Sequence, residues 1–196
     1  QNPRYIALAG ILMLGERDVI DADQWKFGPP TACTNGRDEW YHRDYISKLN
    51  DAELRFLILH ESYHKLYKHL TTWKWIADIN HEEANICTDL VINIKVADDN
   101  KDGFATMTGE LARGYIDEKY RDMDTAQVYH ARKKSGEDQQ PQDGQGQGQG
   151  QSDDNTGIRN PSDLPSNSSG QSIDSHDWDG AKDMTPTEAN ELARDI

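Results

Sequence analysis

Residues 59–70 read LHESYHKLYKHL, and this stretch limits the possible folds more than any other part of the chain. Histidines at i and i+4 share one face of a helix, so His60 and His64 present two imidazoles to a single point. Glu61 is rotated one position away, where it can reach a water at that point but cannot ligate beside them. Leu57, Ile58, Leu59 and Tyr63 surround the group, which places it on a buried face. Burying His-Glu-His without a partner is costly, so the rest of the chain must close around this helix and satisfy it. The bland reading, a solvated helix that spells the pattern by accident, leaves the apolar flanks unexplained.

Two neutral imidazole nitrogens at this spacing suit Zn2+, and a catalytic zinc takes three protein ligands and keeps one position open. His69, His81, Glu82, Glu83, Asp89 and His176 are the candidates for completing the set. If the helix continues, His69 lies about 140° off the His60/His64 face. It reads better as a cation favoured by the helix C-terminal dipole. Glu82 and Glu83 stand at the start of the next helix, where capping accounts for them. Asp89 is better placed: Asn85, Asp89 and Asn93 step by four beside the apolar stripe of Ala84, Cys87, Leu90, Val91 and Ile94. His176, in DSHDWD, has three readings: third or fourth ligand, transition-state donor, or surface residue beside Trp178.

The elements around the motif follow from local signals. Asn2 and Pro3 open a first helix through YIALAGILML, a run too short to cross a bilayer. Asn35-Gly36, between PTACT and RDEWY, marks a hairpin because that pair tolerates the positive φ of a type I′ turn. Asn50 with Glu53 makes a capping box for the HExxH helix, and Asn80 with Glu83 repeats the pattern. A shorter helix is expected over Glu118–Lys133, with Tyr120, Met123 and Val128 as contacts. Asp98 to Gly103 imitates the start of an EF-hand loop, but Gly109 stands at the twelfth position, so an acidic turn is the better reading.

Residues 1–134 therefore read as one domain. Residues 135–172 are rich in Gln, Gly, Asp and Ser, and such a composition cannot offset its ordering entropy, so a flexible linker is expected. Residues 173–196 resume a folding pattern, with Thr185 capping a final helix through Pro186 and Glu188, and are expected to dock back on the domain. The net charge of −14 argues against binding nucleic acid or anionic membrane. Cys33 and Cys87 supply no disulfide framework, which points to a reducing cytoplasm.

PTACTNG, LNDAELRFLILHESYHKLYKH and EEANICTDLVIN together resemble the metallopeptidase domain found beside von Willebrand factor A-like domains in bacterial and phage proteins. The matching positions are Pro30, Thr31, Thr34, Asn35 and Gly36, then His60, Glu61, His64 and His69, then Asn85, Asp89 and Asn93. The likeness runs weakly through GYIDEKYRDMDTAQVYHARKK and resumes at DSHDWDGAKDMTPTEANELARDI. Asn35 stands where the family often has Asp, and Thr88 where it often has Ala.

The resemblance implies an α+β, zincin-like fold, mainly helical with a small sheet. It also implies a zinc peptidase acting on a peptide or protein substrate, with a von Willebrand factor A-like partner. His60, His64 and Asp89 would then hold the zinc and Glu61 would be the general base. Tyr63, His81 and His176 are the candidate oxyanion donors. The edge strand that aligns an extended substrate would come from TACT or EWY. The alternative is a non-catalytic acidic interaction module with a structural zinc, which would have no use for Glu61.

Overall fold

The computed structural model describes residues 9–100, 102–109, 111, 116–136, 174–182, 185 and 187. Helix α1 (Ala9–Leu12) precedes strand β1 (Arg17–Ile20); β2 (Ala32–Thr34) and β3 (Glu39–His42) form a hairpin that runs into α2 (Arg43–Ile46). The long helices α3 (Asp51–Leu66) and α6 (His81–Asp99) are joined through single turns α4 (His69–Thr72) and α5 (Lys74–Ala77). A 3-10 turn at Glu118–Tyr120 leads to α7 (Thr125–Ser135), and a two-residue strand, β4, covers Ser175–His176. The described residues thus form a mixed α/β structure of seven α-helices and one four-stranded sheet.

The helix starts follow their caps. Asn50 accepts the Ala52 and Glu53 N–H groups at 2.9 and 3.0 Å, and Glu53 accepts the Asn50 N–H at 3.0 Å. This capping box satisfies orphan donors at both ends of the first turn. Asn80 accepts the Glu83 N–H at 3.1 Å, but the Glu83 carboxylate turns away and takes Arg132 of α7 at 2.6 Å.

Two apolar clusters flank α6. On one side Ile92 and Val96 meet Phe56, Leu57 and Tyr63 of α3 and Tyr41 and Tyr45 of the β3–α2 segment. On the other, Ala84, Cys87, Leu90, Val91 and Ile94 meet Leu70, Ile76, Val128 and Trp178. Burial of each large side chain here contributes about 1.5–3 kcal/mol. Asn85, Asp89 and Asn93 run between the two apolar faces, which is how α6 presents a polar stripe inside the protein.

The sheet order is β1-β3-β2-β4, with β1 parallel to β3, β2 antiparallel to β3 and β4 parallel to β2. Beyond β4, the Asp177 N–H donates to Thr34 O at 2.9 Å and the Lys182 N–H to Asn35 O at 2.8 Å. TACT and EWY are consequently interior strands. The sheet edges are β1 and β4, so neither expected segment offers a free edge.

Local geometry departs from expectation at three places. The hairpin turn spans 35–38, because Thr34 and Glu39 are its last pair. Asn35 Oδ1 accepts the Arg37 and Asp38 N–H groups at 3.0 and 2.7 Å, and only Gly36 takes a positive φ, 89°. A Cβ there would also lie 2.9 Å from Lys182 O, so the close approach of residues 174–182 needs glycine. Helix α3 stops at Leu66 because Lys68 adopts the left-handed conformation at φ 52°. The expected helix over 118–133 is divided by Asp122, at φ 63°, and restarted by Asp124, whose side chain caps Gln127.

Asp98, Asp99 and Asn100 of the EF-hand-like stretch are used by Arg121, the Tyr63 hydroxyl and Ala105. Both cysteines are free and buried. Asn2, Pro3, Pro186, Glu188 and residues 137–173, where the first cap, the final helix and most of the linker were expected, lie outside the described residues. No helix among the described residues is long and apolar enough to cross a membrane.

Candidate metal centre

Three elements bring five donors together. Helix α3 supplies His60 and His64 one turn apart, α6 supplies Asp89, and the extended chain at β4 supplies Asp174 and His176. The last two are two residues apart, so they point to the same side of the strand. One ligand atom from each of the five lies within 4.8 Å of all the others, and every one of these residues is buried.

His64 Nε2 is 3.1 Å from both His60 Nε2 and His176 Nε2. Asp89 Oδ1 is 3.6, 3.5 and 3.9 Å from Nε2 of His60, His64 and His176. Asp174 Oδ2 is 3.0 Å from His176 Nε2 and 3.4 Å from His60 Nε2.

Outer contacts turn two of the rings toward the centre. His60 Nδ1 lies 2.9 Å from Asn93 Oδ1, and His176 Nδ1 lies 2.9 Å from Asn85 Oδ1. An amide oxygen only accepts, so each Nδ1 carries the proton and each neutral ring keeps its Nε2 lone pair for the interior. Three imidazole nitrogens and two carboxylates then converge in a space that excludes water. That donor set fits a divalent cation, which would stand in place of the protons that, against burial, the Asp174 and Asp89 carboxylates favour on His60 and His176.

Electrostatics at the centre reflect the crowding. Burial, then His176 and His60, hold the His64 imidazolium well below the ordinary histidine range. Burial would raise Asp174, but His176 and His60 outweigh it and hold its carboxyl well below the usual value. Glu61 is completely buried, and its two carboxylate oxygens meet no hydrogen-bond donor among the described residues. Burial, then the Asp174 carboxylate, push it well above the usual carboxylate range.

His60, His64, Asp89 and His176 are thus brought together, with Glu61 beside Asp174. His69 is not: the break at Lys68 starts a new turn and folds the ring inward, 5.3 Å from the His64 ring. It is no surface cation, since burial followed by the neighbouring His176 and His60 lowers its pKa to about 3. His81 is exposed at the first turn of α6, the Tyr63 hydroxyl donates to Asp99 at 2.5 Å, and Glu82 is exposed. Asp174 was missed. Its only sequence signal is its place two residues before His176 in DSH, ahead of a tryptophan.

A second buried polar group lies between the sheet and α3, which supplies Lys65 to it. Glu39, fully buried, takes Lys65 Nζ at 2.5 Å, Arg17 Nε at 2.5 Å and the Tyr41 hydroxyl at 2.6 Å. Lys65 also donates to Leu14 O at 2.8 Å.

A buried cluster of three histidines and two aspartates, capable of holding a metal ion, defines the class of this site. The chain belongs to the family described as "Putative metallopeptidase domain", which it matches over residues 9–195. No curated protein and no solved structure matches it.

Proposed function

We propose that this chain is a zinc-dependent peptidase of the HExxH type with a zincin-like arrangement of helices. His60, His64 and Asp89 hold the ion, His176 is a further donor, and Glu61 is the general base. One observation carries the reading: the HExxH imidazoles converge on Asp89, while the Glu61 carboxylate, buried next to them, meets no donor among the described residues. Imidazole with carboxylate is a donor set suited to zinc.

When bound, zinc supplies Lewis acidity that lowers the pKa of water and polarises a carbonyl oxygen. The protein's own groups do the rest. Glu61 accepts a proton from the attacking water and returns it to the leaving amine. His60, fixed by Asn93, keeps its Nε2 lone pair inward, and burial keeps bulk water from competing. Expected substrates are peptides or unstructured proteins, the expected compartment is the cytoplasm of a bacterial or phage-infected cell, and a von Willebrand factor A-like domain is the expected partner.

One observation favours a second reading, an acidic interaction module with a structural zinc. Five protein donors are more than the three of a catalytic zinc site, and a filled shell leaves no open position. The test is the Glu61→Gln variant, assayed with zinc on an unfolded protein substrate. Hydrolysis should fall about 10²–10⁴-fold with zinc content unchanged. Equal activity in both proteins, or none in the wild type with zinc bound, rejects the peptidase reading.

A further inference from the structure

The metal centre depends on a histidine that arrives from the far end of the described chain, and the contacts around His176 include one atom that decides its chemistry. Asn85 Oδ1 receives two groups: His176 Nδ1 at 2.9 Å and the Trp178 indole N–H at 2.6 Å. An indole N–H only donates, so the Asn85 atom facing it must be the oxygen and not the amide nitrogen. With the amide so oriented, the His176 nitrogen beside it must carry a proton. The neutral ring is then left with its lone pair on Nε2, the atom 3.1 Å from His64 Nε2 and 3.0 Å from Asp174 Oδ2.

We propose that Asn85 and Trp178 are positioning residues of the metal centre. The Trp178 N–H fixes the Asn85 amide, and the fixed amide selects the one His176 tautomer able to ligate. This rests on the metal-binding part of the function proposed above and adds to it the residues that prepare one donor.

The arrangement around His60 shows what Trp178 adds. Asn93 serves His60 from one turn beyond Asp89, as Asn85 serves His176 from one turn before it. Asp89 therefore lies between two amide clamps on one helix. Asn85 is half-buried, and a carboxamide turned by 180° fills nearly the same space, so a donor must choose its orientation. Trp178 is 1% exposed and packed in the cluster with Leu70, Ala84 and Cys87, so its N–H is presented from a rigid plug. The same side chain anchors residues 174–182 and sets the tautomer within them.

The relay makes a prediction that packing alone does not. Trp178→Phe keeps an aromatic plug but removes the N–H together with part of the ring's volume, leaving the Asn85 amide free to flip. The tautomer and the Asn85→Asp rescue separate the lost donor from the lost packing. Asn85→Asp presents oxygen at both positions, so it should not need the indole. The measurements are Co2+ affinity and visible absorption, together with long-range 1H–15N spectra of His176 in the Zn2+-loaded protein and, at alkaline pH, in the metal-free protein.

Trp178→Phe should weaken Co2+ binding about 10–100-fold, change the cobalt absorption, and move the His176 proton in part to Nε2 in the metal-free spectrum. Trp178→Phe combined with Asn85→Asp should recover the wild-type tautomer and spectrum. An unchanged tautomer in Trp178→Phe, or a loss of Co2+ affinity that Asn85→Asp does not restore, overturns the relay. Wild-type protein that binds neither Co2+ nor Zn2+ overturns the metal reading instead. The metal-free tautomer then still decides the relay.

Discussion

Helix α3 serves two buried polar clusters, and they differ in how their charges are met. The Glu39 cluster closes on itself: one carboxylate is enclosed by Lys65, Arg17 and the Tyr41 hydroxyl. The His60–His64–Asp89–Asp174–His176 cluster gathers acceptors and adds Glu61, with no lysine or arginine among its members. Buried charge is tolerated in both, but the first is met by lysine and arginine, whereas the second is met by His60 and His176, whose protons a metal ion would displace. The contrast separates polar burial that holds a sheet to a helix from polar burial capable of receiving a cation.

The largest expected effect breaks the comparison at the second cluster. Zn2+ at a thousandfold excess over its dissociation constant should stabilise the wild-type fold by about 4 kcal/mol. This is read as a rise in melting temperature that a chelator reverses. The double variant His60→Ala/His64→Ala should show no rise, and a response equal to wild type would place the ion elsewhere.

Next is the closed cluster. Lys65→Met strips Glu39 of its most buried partner and should cost about 3–5 kcal/mol in urea denaturation, with the zinc-induced stabilisation intact. Adding Glu39→Leu should recover part of that loss, because it removes a buried carboxylate left with only Arg17 and the Tyr41 hydroxyl. A double variant no better than the single one would mean that Lys65 acts through packing alone.

A smaller effect sharpens the contrast. Asn93→Ala frees His60 Nδ1 and should lower zinc affinity about 10–100-fold by calorimetry without altering the Glu39 cluster. Unchanged affinity would show that His60 needs no clamp.

Residues close in sequence were the legible part of both fold and site. Asn50 with Glu53, Asn80, the paired imidazoles and the Asp89 stripe all follow from helical spacing, which repeats within a few residues. The bend at Lys68 was hidden because left-handed backbone at a lysine has no strong sequence signal, and extending the helix misplaced His69. Asp122 concealed the division of the 118–133 segment in the same way. Asp174 and the interior position of β2 were beyond reach for another reason. Parallel pairing of two short strands leaves no periodic trace in either, so the sequence does not reveal that Ser175 lies beside Cys33.

That pairing also carries a consequence for how the molecule is made. Ser175 donates to Ala32 across 143 positions of chain. During translation the imidazoles of α3 and the carboxylate of α6 leave the ribosome first, and the remaining two donors follow on the order of several seconds later. Until then a nascent polypeptide has no way to coordinate an ion with the full set. Synthesis order alone therefore delays maturation of the centre until the strand next to β2 has been produced.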